Sequence, residues 1–118
     1  MRVVSLACSN TEIVCALGCA NLLVGVDDHS DFPAEVVESL PRVGPDLQID
    51  VEAVMDLGPD LVLASLTVPG HERVVEGVEA AGLECLVLEP VSLADVYANI
   101  REIAHMLGVP ERGEALIT

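Results

Sequence analysis

The stretch Asp60–Leu88, DLVLASLTVPGHERVVEGVEAAGLECLVL, decides the fold. It opens with Asp60-Leu-Val-Leu-Ala64, a short apolar run of the kind that forms a strand buried on both faces. Ser65 to Gly70 reads as a loop, and His71 to Ala81 as a helix that Gly82 stops. Glu84-Cys-Leu-Val-Leu88 is a second apolar run. Strand, helix and strand in this order make a βαβ unit, whose two strands lie parallel because the helix carries the chain back.

Working outward, the same alternation continues in both directions. Arg2 to Ala7 reads as a strand, followed by a helix from Thr11 to Leu17 with Ser9 or Asn10 as its cap and Gly18 at its end. Asn21 to Val26 is a strand, 27–33 a polar loop, and Ala34 to Ser39 a short helix. Residues 40–45 form an extended connector, and Asp50 caps a helix to Leu57, ended by Gly58-Pro59. Ser92 caps a long helix to about Leu107, and Pro110 opens a last helical run. The pattern predicts an α/β fold. It is a three-layer, mostly parallel sheet of four to five strands with helices on both faces, a Rossmann-like lobe.

Composition agrees. The chain has 118 residues, 52% of them hydrophobic but only 2% aromatic, so the core must be built from Val, Leu, Ile and Ala. Twenty acidic residues face five arginines and no lysine, a formal charge of −15. That excludes the basic footprint of a nucleic-acid binder and disfavours docking on anionic lipid. It suits a protein kept soluble at high ionic strength, or an acidic protein from a GC-rich genome. No run reaches the roughly 18 apolar residues of a membrane span. Met1 leads straight into a strand, so a cytoplasmic location is expected from this chain, and an extracytoplasmic one if a leader was removed.

Open α/β sheets bind ligands at the carboxyl ends of their strands. Four segments fall there: 7–10, 27–32, 65–70 and 89–92. In the first, Cys8, Ser9 and Asn10 enter a helix N-terminus. Ser9 or Asn10 could serve as an ordinary cap, or the backbone N–H groups could take an anion or a ligand carbonyl. The helix dipole there would favour a Cys8 thiolate. In the second, His29 lies beside Asp27, Asp28 and Asp31, a set that could ligate a transition metal or simply form a solvated acidic loop. The third contributes Ser65, Leu66 and Thr67 without a phosphate-loop or dinucleotide pattern. Glu72 follows on the next helix, where a carboxylate suits the positive end. Cys15, Cys19 and Cys85 read as small buried hydrophobes rather than metal ligands or a disulfide framework. No catalytic constellation emerges, and a non-enzymatic protein is expected.

These same residues carry a family resemblance. Met1–Ile13, MRVVSLACSNTEI, resembles the opening RIVSLxPSxTEI of cobalamin and iron-siderophore binding proteins of ABC importers. Residues 23–33, LVGVDDHSDFP, resemble their VGVxxxxDYP. Val43-Gly44, Asp50-Val-Glu52 and Leu57-Gly-Pro-Asp-Leu-Val62 continue the match, which covers nearly the whole chain in order and spacing. Leaderless cobalamin-binding-like members are the most similar.

The resemblance implies two α/β lobes joined by a long helix, with ligand held between them. Residues 1–109 would be the first lobe and 110–118 the start of the linking helix, the second lobe lying outside this chain. It implies a substrate-binding lobe for a metal chelate, a corrinoid ahead of a siderophore or haem, with no resident cofactor required. His29 stands where the cobalamin receptor has an aromatic against the corrin, which opens metal or amide contact. A tryptophan of that receptor near Ser65 has no counterpart. Glu72 falls where the receptor docks on its transporter's membrane subunits, and Cys8 replaces a proline. Rival readings are a cytoplasmic corrinoid or metal carrier, a self-associating module forming a homodimer, and an enzyme acting on a bound metal complex through Cys8 or His29.

Overall fold

A computed structural model describes residues 1–31, 33–45, 48–66 and 70–117. Its four strands are β1 (Val3–Ser5), β2 (Leu23–Val26), β3 (Leu61–Ser65) and β4 (Cys85–Leu88). Its helices are α1 (Cys8–Ala16), α2 (Ala34–Val37), α3 (Val51–Asp56), α4 (His71–Ala80), α5 (Leu93–Met106) and α6 (Pro110–Ile117). The strands run in the order β2-β1-β3-β4, every pairing parallel. An isolated parallel bridge from Val26 to Arg42 joins the connector to the β2 edge, and the sheet of the described residues has four strands, within the four to five expected.

The period of two along each strand divides the core. Leu61 and Leu63 of β3, with Val3 and Leu88, pack against α1 and α5 through Val14, Leu17, Ile100 and Ile103. Val62 and Ala64, with Val4, pack on the other face against α3 and α4 through Val54, Val74, Val75 and Val78. Alternate side chains of one strand thus feed two cores, which is why β3 has to be apolar at every position. The expected three-layer α/β architecture is the one observed.

Two of the expected caps are present. Asp50 Oδ1 accepts the Ala53 N–H at 3.2 Å. Ser92 accepts the Asp95 N–H while the Asp95 carboxylate accepts the Ser92 N–H, a capping box that starts α5. The first helix differs from expectation. It begins at Cys8, three residues early, and Ala7 holds the cap position with no side-chain bond. Asn10 lies inside α1 rather than at its cap, and its amide donates to Ala64 O across the sheet at 3.3 Å. At β2, a 3₁₀ turn over Ala20–Leu22 takes the first two residues of the expected strand.

Helices α5 and α6 pack closely where Gly113 lies over Ala104. A Cβ on Gly113 would stand 2.6 Å from the Ala104 Cβ. Arg112 of α6 then reaches the end of α1, donating to Leu17 O at 3.3 Å. Among the described residues no helix is long and apolar enough to cross a membrane.

Candidate functional site

The strand order places a topological switch at β1. The chain leaves β1 to one side through α1 to reach β2, while β3 and β4 lie on the other side. A crevice forms where successive connections diverge, outside the carboxyl ends of the strands. Asn10 spans this point. It is 3% exposed, and its bond to Ala64 O ties the first turn of α1 to the end of β3. Asn10 is therefore held beneath the ends of β1 and β3, while Cys8 and Ser9 beside it are exposed. Ala7 provides no side-chain cap for the first-turn N–H groups of α1.

The loop after β2 stands on a buried polar chain. The Thr11 hydroxyl lies 2.8 Å from both Ser5 Oγ and Ser30 Oγ. Ser30 donates to Asp27 Oδ1 at 2.6 Å, and Asp27 Oδ2 accepts the His29 N–H at 3.2 Å. Ser5, Thr11, Asp27 and Ser30 are all at most 1% exposed, so these bonds replace water completely. Below the loop, Arg42 donates to the carbonyls of Asp27, Asp28 and Ser30 at 3.2, 2.9 and 2.9 Å. Asp28 and Gly44 are joined twice, through Asp28 N–H to Gly44 O and Gly44 N–H to Asp28 Oδ1. The result is a braced platform carrying an exposed His29.

That bracing corrects the metal reading. Of the three carboxylates expected around His29, Asp27 accepts from Ser30 and Asp28 from the Gly44 N–H, while Asp31 is exposed. Among the described residues no three His, Cys, Asp or Glu side chains converge to hold an ion. The thiolate expectation at Cys8 is corrected too. Partial burial of the sulfur raises its pKa first, and the charges of Asp27, Glu12 and Asp31 raise it further. A hydrogen bond from the Ser9 N–H lowers it, but ranks below Asp27 and Glu12.

At the third segment, Ser65 is buried and Leu66 half-buried at the end of β3. Thr67 lies outside the described residues. Gly70 turns the chain into α4 with φ 105°, a left-handed conformation that favours glycine. The exposed Glu72 carboxylate accepts the Gly70 N–H through both oxygens at 3.3 Å. It thus fills the capping role while presenting its charge to solvent.

Sequence reasoning missed an apolar shelf beside the rim. After β4 the chain exposes Val91 (87%), Leu93 (65%), Val96 and Tyr97 at the start of α5. Leu93 and Tyr97 are one turn apart and share a face. A signal was present, since these residues flank the Ser92 cap, but helical periodicity alone assigns Leu93, Val96 and Tyr97 to the core. A separate groove of about 480 Å³ runs between α5 and α6, lined by Leu86, His105 and Met106. It belongs to the helix layer rather than to the strand ends.

Comparison with known proteins fixes the family. The model of the periplasmic binding protein family matches residues 3–118. The chain belongs to the periplasmic binding protein family. This binding-protein chain is 34% identical to the uncharacterized ABC transporter substrate-binding lipoprotein YvrC of Bacillus subtilis, over 98% of its own length and 37% of the relative's. It is 31% identical to the vitamin B12-binding protein of Vibrio cholerae, over 96% of its length and 40% of that protein's. Among solved structures, a periplasmic haem-binding protein from Pseudomonas aeruginosa superposes with a TM-score of 0.84 at 35% identity. The superposition covers 97% of this chain and 40% of that one. The periplasmic vitamin B12-binding protein BtuF of Vibrio cholerae gives 0.84 at 31% identity, covering 98% and 44%. The chain therefore spans about two-fifths of the length of the curated relatives it matches.

Proposed function

We propose that this chain is the first lobe of a two-lobe solute receptor, with residues 1–109 forming the lobe and residues 110–118 beginning the connecting helix. Its ligand is a metal chelate, a corrinoid ahead of haem or a ferric siderophore, and it serves an ABC-type importer. The observation that carries this is the crevice at the β1 switch point. Along the carboxyl ends of the strands lie an uncapped helix N-terminus after β1, a braced polar loop after β2 and, on the far side of β3, an apolar shelf after β4. Relatives named for vitamin B12 and haem share this fold over nearly the whole chain.

The division of labour follows from the geometry. The shelf of Val91, Leu93 and Tyr97 offers apolar contact to a flat macrocycle, and burying it would repay the cost of its present exposure. Cys8 and Ser9 bring the α1 N–H groups within reach of peripheral carbonyls, with Asn10 tied to the end of β3. His29 stands on its platform where it can donate or accept, or complete a metal's coordination from the ligand side. Ser65, Leu66 and Thr67 would line the crevice from β3. Glu72, fixed at the start of α4, is placed to dock on cationic side chains of the transporter's membrane subunits. The chelate is cargo, and no resident cofactor is needed. Relatives described as periplasmic or as a lipoprotein support a location outside the cytoplasmic membrane.

Calorimetric titration of the full-length protein with cyanocobalamin, haemin and a ferric siderophore tests this reading. Saturable 1:1 binding of at least one is expected, and no binding of any of them would overturn it. Glu72→Ala should leave that binding intact while reducing ligand-stimulated ATP hydrolysis by the reconstituted transporter.

A further inference from the structure

Three backbone carbonyls of the loop after β2 converge on one atom. Arg42 Nη1 stands 3.2 Å from Asp27 O, 2.9 Å from Asp28 O and 2.9 Å from Ser30 O. Carbonyl oxygens carry partial negative charge, so three gathered at one point repel one another unless a cation lies between them. A guanidinium Nη bears two hydrogens, fewer than the oxygens it meets here, so its positive charge helps to hold the set.

These contacts clamp two successive peptide planes. Within a planar peptide, fixing a carbonyl also fixes the N–H of the next residue. The plane between Asp27 and Asp28 is held by Arg42 at its oxygen and by Gly44 O at its N–H, 2.8 Å away. The plane between Asp28 and His29 is held by Arg42 at its oxygen and by Asp27 Oδ2 at its N–H. Arg42 is common to both, and the second plane leads directly into the exposed His29.

The surrounding fold does not depend on the clamp. The connector is anchored beside Arg42 by Val43, which is 2% exposed and packs in the core. Its backbone is tied to β2 through Val26 N–H to Pro41 O and Val43 N–H to Val26 O, each 3.0 Å. Arg42 itself is exposed and lies outside that core. Its charge therefore acts on the course of the loop rather than on the stability of the sheet.

Resting on the receptor reading above, we infer that Arg42 is a positioning residue for ligand binding. Its guanidinium fixes the two peptides before His29 and presents that side chain to the ligand already in place. A preformed loop avoids the ordering cost that a mobile one incurs on binding. Without the clamp, the binding-competent loop is only a fraction of the free population, and apparent affinity falls by that fraction.

Arg42→Met removes the charge and donors but keeps an unbranched stem, whereas Arg42→Lys keeps the charge and donors. Amide hydrogen exchange and equilibrium titration of the full-length protein with cyanocobalamin, haemin and a ferric siderophore compare both with the wild type. In free Arg42→Met, exchange at Asp28, His29 and Ser30 should accelerate about tenfold or more, while β3 amides keep their wild-type rates. Kd should rise about tenfold for whichever probe the wild type binds. Saturation with that probe should return the three amides to wild-type protection, a recovery that a merely structural role would not give. Arg42→Lys should stay within about threefold of the wild type in both measurements. Wild-type protection of the three amides in Arg42→Met would overturn the inference. So would lost protection with unchanged affinity, an equal loss in Arg42→Lys, or loosening of β3 together with the loop, failure to fold included. Each of these outcomes leaves the receptor reading standing. A wild type that binds none of the three probes would overturn that reading, and the inference with it.

Discussion

Thr11 carries more of the site than any residue that touches solvent. Its hydroxyl joins Ser5 on β1 to Ser30 on the loop, and through Ser30 it steadies the Asp27 carboxylate. Thr11→Val keeps the shape and removes the link, leaving buried hydroxyls short of a partner. We expect a loss of about 1–3 kcal/mol in urea unfolding. Hydrogen exchange should also accelerate at His29 and Ser30, whose N–H groups are held by Asp27. None of this was legible in the sequence. Ser5 was read only as part of a strand, Thr11 as the start of a helix and Ser30 as part of a loop, because the partners lie 6 and 19 positions away. Asn10 misled for the same reason, its carbonyl partner being 54 residues distant. A second residue-scale expectation concerns Cys85. Burial first, and then the Glu79 charge, push its thiol from 9.0 up to about 11. The folded state then holds a proton that the unfolded chain has already released. Stability should fall as pH rises from 9.0 towards about 11 and level off beyond. Cys85→Ala should show a shallower slope over that window in denaturant melts.

Elements were far more legible than contacts, because their signals are local. Leu61 to Ala64 and Cys85 to Leu88 are apolar without interruption, and each became a parallel strand with helices on both sides. Asp50 and Ser92 announced their helices, since a cap and its N–H partner are three residues apart. Ser92→Ala should cost about 1 kcal/mol and fray the first turn of α5, the turn that carries the apolar shelf. The close approach of α5 and α6 was not legible. Gly113 sits inside a helical run, where glycine is ordinarily unfavourable, and only the facing Ala104 explains it. Gly113→Ala gains helix propensity, yet its Cβ would enter the space of the Ala104 side chain. Crowding should win, lowering the unfolding free energy by about 1–3 kcal/mol. If propensity won instead, thermal melts would show the variant more stable than the wild type.

At the scale of the molecule, the decisive quantity is charge set against size. A formal charge of −15 resides in a body with a radius of gyration of 13.0 Å. The screening length is about 10 Å at 0.1 M salt and about 3 Å at 1 M. Carboxylates on opposite faces therefore sense one another in dilute buffer and cease to do so in concentrated salt. The arginines do little to offset this, because Arg2, Arg42 and Arg112 end on backbone carbonyls that finish helices and loops. Unfolding relieves the repulsion by spreading the charges apart, so the folded state should gain more from screening. We expect the melting temperature to rise by about 5 °C between roughly 0.1 M and 1 M potassium chloride. A general salt effect on apolar burial would act on any variant alike. Replacing the exposed Glu38, Glu76, Glu79, Glu102 and Glu111 by glutamine separates the two causes. Under charge repulsion this variant melts higher than the wild type at low salt and responds less to added salt. Equal salt responses in the two proteins would assign the effect to burial. The acidic surface would then have no part in the protein's stability.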